Sequence, residues 1–317
     1  MKCIVLFSGG LDSTLAVKLL EKQGLDVTAL TFYSPFFSAE KSEKSAKLNK
    51  IKLKTMNLGS DYLKLVKSPK YGHGKAINPC IDCKIHMLKI AKKYAKKIGA
   101  KFIAIGFVLN QRPMSQHMSA LRTIEKGAGM KGKLLIPLSA KLLPETEAEK
   151  KAWVDREKLM DISGRGRKKQ MEMAKKIKLK WHAPVAGGCV LCEVHFSHKF
   201  MDLMKNKKRI SENDAEILLY GRHFRVDDCK IMVGRNESEN NMLSKLRRKT
   251  DSVFEVKGVG SPITVLRGAK TAKNVKMAAE LTARYSSAPE GDVVVSCGKR
   301  KITVKKPISF DETKFLI

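Results

Sequence analysis

The chain has 317 residues, 43% of them hydrophobic and 30% charged, so it is long enough for two globular domains with separate cores. No run of about twenty apolar residues is present, which excludes a membrane-spanning helix. The short apolar N-terminus lacks a signal-peptide cleavage pattern, and we therefore expect a cytoplasmic protein.

The charge is strongly unbalanced. The chain has 63 Lys and Arg residues against 31 Asp and Glu residues, a formal net charge of +32. Such a surplus favours a polyanionic partner, because basic side chains displace the counterions of phosphate groups. A lysine-rich surface of a heat-adapted protein is the alternative, but such surfaces usually balance Lys with Glu. Only 6% of the residues are aromatic, which argues against base stacking as the main mode of binding.

The first half of the chain alternates strands with amphipathic helices. We predict strands at 2–7, 26–33, 51–57, 101–106 and 134–138, one helix that ends at Gly24 and another at about 81–97. This alternation predicts an α/β fold with a doubly wound parallel sheet. In such sheets, ligands bind beyond the carboxyl ends of the strands.

The second half follows a different pattern. Residues 155–180 are basic and predicted helical, with an interruption at 163–169, and the α/β alternation stops near Gly187. Two short helices are expected after Phe196. We then predict a helix at about 273–285 and strands at 229–233, 252–257, 263–266, 292–296 and 301–305. We therefore predict two domains, an α/β domain at 1–200 and an α+β domain at 201–317.

A glycine-rich loop follows the first predicted strand. It reads Ser8-Gly-Gly-Leu-Asp-Ser13 and leads into a helix. Glycines let a backbone turn closely around an anion, and the N–H groups of the turn and the helix N-terminus point at it. The loop has neither the Gly-Lys-Ser/Thr of a Walker loop nor the G-x-G-x-x-G of a dinucleotide site. A polar turn in which Asp12 or Ser13 caps the helix explains one residue but not the whole run.

Four of the seven cysteines form two close pairs. Cys80 and Cys83 open a helix, where the dipole favours thiolates, and Cys189 and Cys192 follow two glycines. Four interpretations remain open: zinc on all four thiols, a disulfide or persulfide using one thiol from each pair, a [4Fe–4S] cluster on Cys80, Cys83 and Cys189, or unrelated buried thiols. The other cysteines are interpreted as small buried hydrophobic residues, namely Cys3, Cys229 and Cys297.

The glycine loop resembles the PP-loop of the adenylating ATP pyrophosphatases, since it matches SGGxDS at every defined position. The resemblance implies that ATP is cleaved between its α- and β-phosphates and that a carbonyl or carboxyl oxygen is activated as an adenylate. A nitrogen or sulfur nucleophile then displaces AMP. It implies a catalytic role for Asp12, through Mg²⁺. It also implies that ATP is bound by Ser8, Gly9, Gly10, Asp12, Ser13, Thr31 and Gly106.

A cysteine pair before a helix, followed by a distant cysteine, resembles the tRNA thiolation branch of that superfamily. The resemblance implies a thiouridine synthase in which Cys80, Cys83 and Cys189 are catalytic, either as ligands of a [4Fe–4S] cluster or through a persulfide. The spacing favours the cluster over the persulfide, with zinc third. The implied partners are tRNA and a sulfur donor (sulfide, a cysteine desulfurase or a carrier protein), and a homodimer is left open.

Residues 78–192 also resemble an uncharacterised PP-loop group with the motifs NPC-x-x-C, GQRPMSQ, LSAKLLP, VDRE, DISGR and AGGC. Here Asn110 replaces the usual glycine, and Cys192 replaces a threonine, which weakens the zinc interpretation. Arg112 and Gln116 follow the fourth strand, where a substrate would lie. Contacts to the tRNA backbone are expected from the basic residues Arg112, Arg165, Arg167, Lys168 and Lys169.

The second domain contains the run Val233-Gly-Arg-Asn-Glu-Ser-Glu-Asn-Asn241. Gly234 and Arg235 at a helix start form a candidate phosphate-binding corner, with Asn236 as a candidate cap. Residues 220–310 resemble the RNA-binding module of NFACT proteins, which implies a tRNA-binding domain that uses Arg235 and Asn236. Two other functions remain open: an RNA-binding quality-control factor with a non-catalytic nucleotide site, which would not need the cysteines, and a PP-loop enzyme for a small molecule, which would not need this domain.

Overall fold

Five parallel strands form the sheet of the N-terminal unit. The computed structural model describes residues 1–184, 189–307 and 315–317, in two units, Met1–Cys192 and Glu193–Ile317. The strands of the first unit are Lys2–Leu6 (β1), Asp26–Tyr33 (β2), Leu53–Asn57 (β3), Phe102–Ile105 (β4) and Leu134–Leu135 (β5). They lie in the order β3-β2-β1-β4-β5, and Val5 of β1 pairs with Ala29 and Ala104. The predicted doubly wound α/β fold is confirmed.

The helices of this unit connect and cover the sheet. They are Leu11–Glu21 (α1), Glu40–Leu48 (α2), Ser60–Lys67 (α3), Cys80–Ile98 (α4), Met118–Ala128 (α5), Glu147–Lys150 (α6) and Lys168–Lys176 (α7), with short 3₁₀ turns at Ala140–Leu142, Arg156–Lys158 and Val190–Cys192. Helix α1 packs into the core of the sheet through Val17 and Leu20, which are fully buried. Its first turns pack through Leu11 and Leu15 into a second cluster that includes Ala174 of α7.

Two predictions for this unit were wrong in extent. The region 155–180 contains only the turn Arg156–Lys158 and α7, because Gly164 has a φ of 85° and donates to the carbonyl of Leu109 at 2.7 Å. That bond holds the chain extended beside the segment after β4. Strand β5 ends early, at Leu135, because Pro137 has no N–H to donate to a ladder.

The C-terminal unit is an antiparallel sheet with helices. Its helices and strands are Val194–Asn206 (α8), Glu212–Glu216 (α9), Arg222–Val226 (β6), Cys229–Val233 (β7), Glu237–Leu246 (α10), Ser252–Val256 (β8), Thr264–Arg267 (β9), Ala272–Arg284 (α11), Asp292–Cys297 (β10) and Arg300–Lys305 (β11), with a 3₁₀ turn at Ile217–Leu219. The strand order is β11-β10-β8-β9-β7-β6. Helix α11 packs on the sheet through Ala278 and Ala279, against Phe254 and Leu266. The predicted α+β class is confirmed.

The division between the units lies earlier than the predicted 200/201 boundary. All of α8 belongs to the second unit, because Asp202 of α8 accepts from Arg225 of β6 at 2.6 Å and from Lys230 of β7 at 3.2 Å. Among the helices of the described residues, none has the length and apolar character needed to cross a membrane.

Candidate functional site

The glycine loop lies where the strand order of the parallel sheet reverses. Strand β1 leads into the loop, and its neighbour β4 leads into the segment that begins at Gly106. A Cβ atom on Gly106 would lie 2.4 Å from the Cα of Ser13, so only glycine allows this close approach. Gly9 has a φ of 71°, and a Cβ there would lie 2.7 Å from the carbonyl oxygen of Lys41. The switch point of an open α/β sheet is where ligands bind.

The first turn of α1 is left open for an anion. Its N-cap residue is Gly10, which provides no side chain to the turn, so the expected alternative of a cap by Asp12 or Ser13 is wrong. Instead, Ser13 Oγ donates to the carbonyl of Gly10 at 3.0 Å and lies 3.2 Å from Ser8 Oγ. The loop therefore presents backbone N–H groups and two hydroxyls around one small space, which is the chemistry of a phosphate cradle.

Thr31, a predicted ATP-binding residue, lies in β2 next to the loop. It is buried, and its Oγ1 donates to the carbonyl of Phe7 at 2.7 Å. This bond ties β2 to the end of β1 and so fixes the start of the glycine loop. In this structure the Thr31 hydroxyl has a structural task.

Asp12 lies on the first turn of α1 with a buried carboxylate oxygen. Its Oδ1 has no hydrogen-bond partner within the described part of the chain. Burial raises the pKa of Asp12, while the charges of Arg167 and Arg112 and the side-chain amides of Gln111 and Gln170 offset part of that rise. A free carboxylate oxygen beside a phosphate cradle fits Mg²⁺, which prefers carboxylate and phosphate oxygens.

The chain that leads to Cys189 is attached to the glycine loop. Ala183 N–H donates to the carbonyl of Gly9 at 2.7 Å, and the carbonyl of Trp181 accepts from Asn49 Nδ2 at 2.6 Å. Residues 185–188, which include Ala186, Gly187 and Gly188 of the AGGC motif, lie outside the described residues. Trp181 and Ala183, which precede the second cysteine pair in the sequence, are thus attached to Asn49 and to the glycine loop, respectively.

The two cysteine pairs come together in space. The thiol of Cys192 lies close enough to those of Cys80 and Cys189 to change their pKa values. Asn78 Nδ2 donates to Cys80 Sγ at 3.2 Å, and Tyr62 Oη donates to the buried Cys83 Sγ at 3.2 Å. We call Cys80, Cys83, Cys189 and Cys192 the thiol set.

The thiols differ in acidity. The hydrogen bond from Cys192 lowers the pKa of Cys189 despite its burial, whereas the same bond raises the pKa of Cys192. The hydrogen bond to Cys192 and burial raise the pKa of Cys80, and burial raises that of Cys83. Cys189 is therefore the member of the thiol set that most readily becomes a thiolate.

Metal binding by the thiol set stays a prediction. Within residues 1–184, 189–307 and 315–317, no group of three or more His, Cys, Asp or Glu side chains is arranged to hold a metal ion. Tyr62 donates to Cys83, and Cys80 and Cys83 both lie within electrostatic range of Cys189.

Cys192 was expected in the site only as a zinc ligand or as the partner in a disulfide, and not among the three catalytic cysteines. The C-x-x-C spacing from Cys189 was the only feature of the sequence that pointed to Cys192. Its proximity to Cys80 becomes visible only in the folded structure. Arg112 lies close to both this set and the glycine loop, since its positive charge offsets part of the rise that burial causes in the pKa of Asp12 and part of the rise that the neighbouring Cys189 causes in the pKa of Cys192. Arg112 is exposed and lies within electrostatic range of both groups.

The other basic residues expected to contact tRNA have different surroundings. Arg165 and Lys168 are exposed, whereas Lys169 forms an ion pair with Asp161 at 3.0 Å. Arg167 occupies the N-cap position of α7 and is close enough to Asp12 for its charge to lower the pKa of that carboxyl.

The segment Gly234–Asn241 of the second unit is held by hydrogen bonds among its own residues. Asn236 Oδ1 accepts from the N–H of Glu239 at 3.0 Å and caps α10, and Arg235 Nε donates to Glu239 Oε1 at 2.9 Å. A Cβ on Gly234 would lie 2.1 Å from Asn240 Oδ1. The motif residues thus have structural tasks, while the Arg235 side chain remains 49% exposed.

The remaining cysteines lie away from the thiol set. Cys3 and Cys229 are fully buried, and Cys297 is partly exposed at the end of β10, so the burial expected for Cys297 was wrong. Cys297 pairs with Arg300 across the turn to β11, an edge strand, which leaves it partly open.

Comparison with known proteins gives a match for each part of the chain. Residues 1–141 match the family model of the thiamine biosynthesis protein ThiI, and residues 221–314 match that of the NFACT protein RNA binding domain. The N-terminal part is thus similar to ThiI, and the C-terminal part is similar to the NFACT RNA-binding domain, in line with the resemblances found in the sequence.

Curated relatives match the N-terminal part. The tRNA-specific 2-thiouridylase MnmA of Syntrophomonas wolfei is 34% identical over 113 residues, which are 33% of this chain and 33% of that protein. A "Probable tRNA sulfurtransferase" of Thermococcus kodakarensis is 33% identical over 120 residues, 35% of this chain and 30% of that protein. The chain thus spans about a third of the length of these relatives. A solved structure titled as a predicted subunit of tRNA methyltransferase from Methanocaldococcus jannaschii aligns over 56% of this chain and 76% of that chain, at 18% identity and a TM-score of 0.37.

Proposed function

We propose that this protein is an ATP-dependent tRNA sulfurtransferase that replaces a carbonyl oxygen of a uridine with sulfur. The observation that carries the proposal is that the glycine loop and the thiol set lie in the same compact unit, Met1–Cys192. A candidate oxygen-activating site and a candidate sulfur site thus belong to one unit, in which Ala183 N–H donates to the carbonyl of Gly9 at 2.7 Å. The match to relatives that act on tRNA supports the same function.

The glycine loop supports the activation step. A urea-like carbonyl oxygen is a poor leaving group, whereas AMP is a good one. The uridine oxygen attacks the α-phosphorus of ATP, the bond to the β-phosphate oxygen breaks, and pyrophosphate and the N3 proton leave. Ser8, Ser13 and the N–H groups of the first turn of α1 hold the departing phosphates. Mg²⁺, when bound, would neutralise phosphate charge, and Asp12 is its candidate ligand.

Cys189 is the thiol best suited to carry the incoming sulfur. Its pKa is lowered by the Cys192 hydrogen bond, so it is available as a thiolate that can accept a sulfane sulfur from a donor such as sulfide-derived polysulfide, a cysteine desulfurase or a carrier protein. The terminal sulfur of the Cys189 persulfide attacks the activated carbon, a C–S bond forms, the C–O bond breaks and AMP leaves. A second thiol of the set then attacks the Cys189 sulfur, which releases the thiouridine and leaves a disulfide to be reduced by an external thiol.

The [4Fe–4S] cluster on Cys80, Cys83 and Cys189 stays a prediction, and the persulfide on Cys189 is its alternative. A cluster would give the anaerobically purified protein a broad absorbance at about 400 nm. The persulfide route would instead give a colourless protein that retains activity. A brown protein that loses activity on treatment with an iron chelator would contradict the persulfide route.

The expected substrate is a structured tRNA. The net charge of +32 and the NFACT-type domain both support a polyanionic RNA partner. An RNA-binding factor whose nucleotide site only switches conformation would have no use for the thiol set. A small-molecule sulfurtransferase would have no use for the RNA-binding domain.

Nucleoside mass spectrometry of tRNA tests the function. Unmodified tRNA incubated with the protein, ATP and a sulfur donor should gain one thiouridine, and Cys189→Ser should abolish the product while leaving tRNA affinity unchanged. Cys297→Ser, which changes the same atoms in the other unit, is the matched control and should retain activity. If the intact protein and its donor yield no thiolated uridine, the proposed function is wrong.

A further inference from the structure

Two buried glutamines next to the glycine loop have polar atoms without partners. The side chain of Gln170 is 0% exposed, and neither its Nε2 nor its Oε1 has a hydrogen-bond partner within the described part of the chain. Gln111 is 7% exposed, and its Nε2 is likewise unpaired among the described residues. Burying an unpaired amide is unfavourable, so two of them in one place require an explanation.

Both amides face the same carboxylate from different parts of the chain. Gln170 lies in the first turn of α7, which packs against the start of α1 through Ala174, Leu11 and Leu15. Gln111 lies in the segment after β4, whose first residue, Gly106, packs against the backbone of α1. Each amide lies close enough to the Asp12 carboxyl to lower its pKa as a weak hydrogen-bond donor would. Neither amide N–H meets the geometry of an ordinary hydrogen bond, however, and Asp12 Oδ1 is buried without such a bond among the described residues.

We propose that Gln111 and Gln170 are positioning residues that clamp the Asp12 carboxylate when the metal–nucleotide complex binds. The inference rests on the proposed nucleotide site. An amide donates N–H groups and carries no charge, so it can orient a carboxylate without competing with a cation for it. Hydrogen bonds at such sites are often long before the ligand arrives and tighten afterwards. In the free protein the two amide N–H groups therefore lack hydrogen-bond partners among the residues that the structure describes, and they form hydrogen bonds with Asp12 when the metal–nucleotide complex binds.

Two arginines also act on Asp12. The charges of Arg167 and Arg112 favour its carboxylate form without forming an ion pair with it among the described residues, so orientation of the carboxylate is left to the amides. Outer residues that hydrogen-bond a ligating carboxylate typically change metal affinity by about 10–100-fold when removed. Gln170 and Gln111 are placed to act in that way on Asp12.

Metal binding tests the clamp without any assay of tRNA thiolation. Mn²⁺ affinity is measured by electron paramagnetic resonance with a non-hydrolysable ATP analogue present, for the intact chain and for Gln170→Leu and Gln111→Leu. We expect each substitution to weaken Mn²⁺ binding about tenfold or more. Affinity for the analogue without metal should stay unchanged. Thermal stability should stay equal or rise, because an unpaired buried amide is removed.

Gln23→Leu is the matched control, since it makes the same chemical change in a side chain that bonds the backbone of Asp155. Its Mn²⁺ affinity should equal that of the unaltered protein. In an Asp12→Asn background, Gln170→Leu should cause no further loss, because the glutamine acts through Asp12.

Unchanged Mn²⁺ affinity, an equal loss in both backgrounds, or an accompanying loss of metal-free nucleotide binding overturns the clamp. If Gln170→Leu does not fold, Gln111→Leu decides by the same criteria. A protein that makes no thiouridine but shows the Asp12-dependent loss disproves the sulfurtransferase function and retains the clamp.

Discussion

Cys189 owes its acidity to one neighbouring thiol. Four cysteines lie together, yet burial raises the pKa of Cys83, and burial with a thiol contact raises that of Cys80. The hydrogen bond from Cys192 lowers the pKa of Cys189. A hydrogen bond to a thiolate stabilises the charged form, so its removal raises the pKa.

Alkylation rates should reveal this difference. Near neutral pH, iodoacetamide should modify Cys189 faster than Cys80 or Cys83, as measured by peptide mass spectrometry over a pH series. In Cys192→Ala, the alkylation profile of Cys189 should shift to higher pH, because the donor is removed. Cys192→Ser, whose hydroxyl can still donate, is the control and should shift the profile less. An identical profile in Cys192→Ala would rule out the hydrogen bond as the cause.

The position of Cys192 shows the limit of prediction at the residue scale. The loop Ser8–Ser13 was found from sequence because its residues are contiguous and its motif is local. The bond between Cys192 and Cys80 joins residues far apart in the chain, and the same is true of Arg167 and Asp12. Such contacts depend on how helices pack against one another, and a local sequence pattern does not predict that packing.

At the scale of elements, the site depends on how closely the end of β4 approaches the start of α1. Gly106 allows that approach, since any Cβ there would lie 2.4 Å from Ser13 Cα and 2.7 Å from Ser13 N. The obstacle is backbone, which cannot rotate away as the end of a side chain can.

Gly106→Ala should therefore displace the first turn of α1. We expect a stability loss of about 1–3 kcal/mol, as for other overpacked sites, in denaturant titrations. Affinity for an ATP analogue, measured by calorimetry, should fall as well. Gly166→Ala is the control, because a Cβ there meets no atom of the described residues within 4 Å. Wild-type nucleotide affinity in Gly106→Ala would show that the loop does not need this close approach.

The bounds of some strands could be predicted closely from the sequence, whereas other helices and strands have no hydrophobic pattern that would predict them. The strands at Asp26–Tyr33 and Cys229–Val233 agree with the predicted bounds, because apolar runs end there at polar or glycine residues. Helix α2 was missed because its buried residues are Ser42, Ser45 and Ala46, which form no apolar stripe. Strand β6, Arg222–Val226, was missed because basic residues interrupt its apolar positions.

At the scale of the whole molecule, the net charge of +32 should govern RNA affinity. Basic side chains that meet phosphates release counterions, so the logarithm of the affinity falls linearly with that of the salt concentration. Only basic groups without an acidic partner contribute fully. Arg165 and Lys168 are exposed, whereas Lys169 is paired with Asp161.

Filter binding to tRNA over a salt series tests this assignment. The double variant Arg165→Ala/Lys168→Ala should bind more weakly, and its salt slope should be lower by roughly 0.7–0.9 for each phosphate that is no longer neutralised. Lys169→Ala should change the slope less, because its charge is already compensated. An unchanged slope in the double variant would place the tRNA backbone elsewhere on the protein.

The hydrogen bond between Ala183 and Gly9 also has a consequence for biosynthesis. Its partners are among the first and the later residues of the N-terminal unit, so more than half of the chain must leave the ribosome before they can meet. Closing so long a loop carries a large entropic cost, which local contacts within the sheet do not face. We therefore expect a nascent chain to pair β1 with β2 before it forms this bond. A chain that stops short of Ala183 lacks the bond altogether.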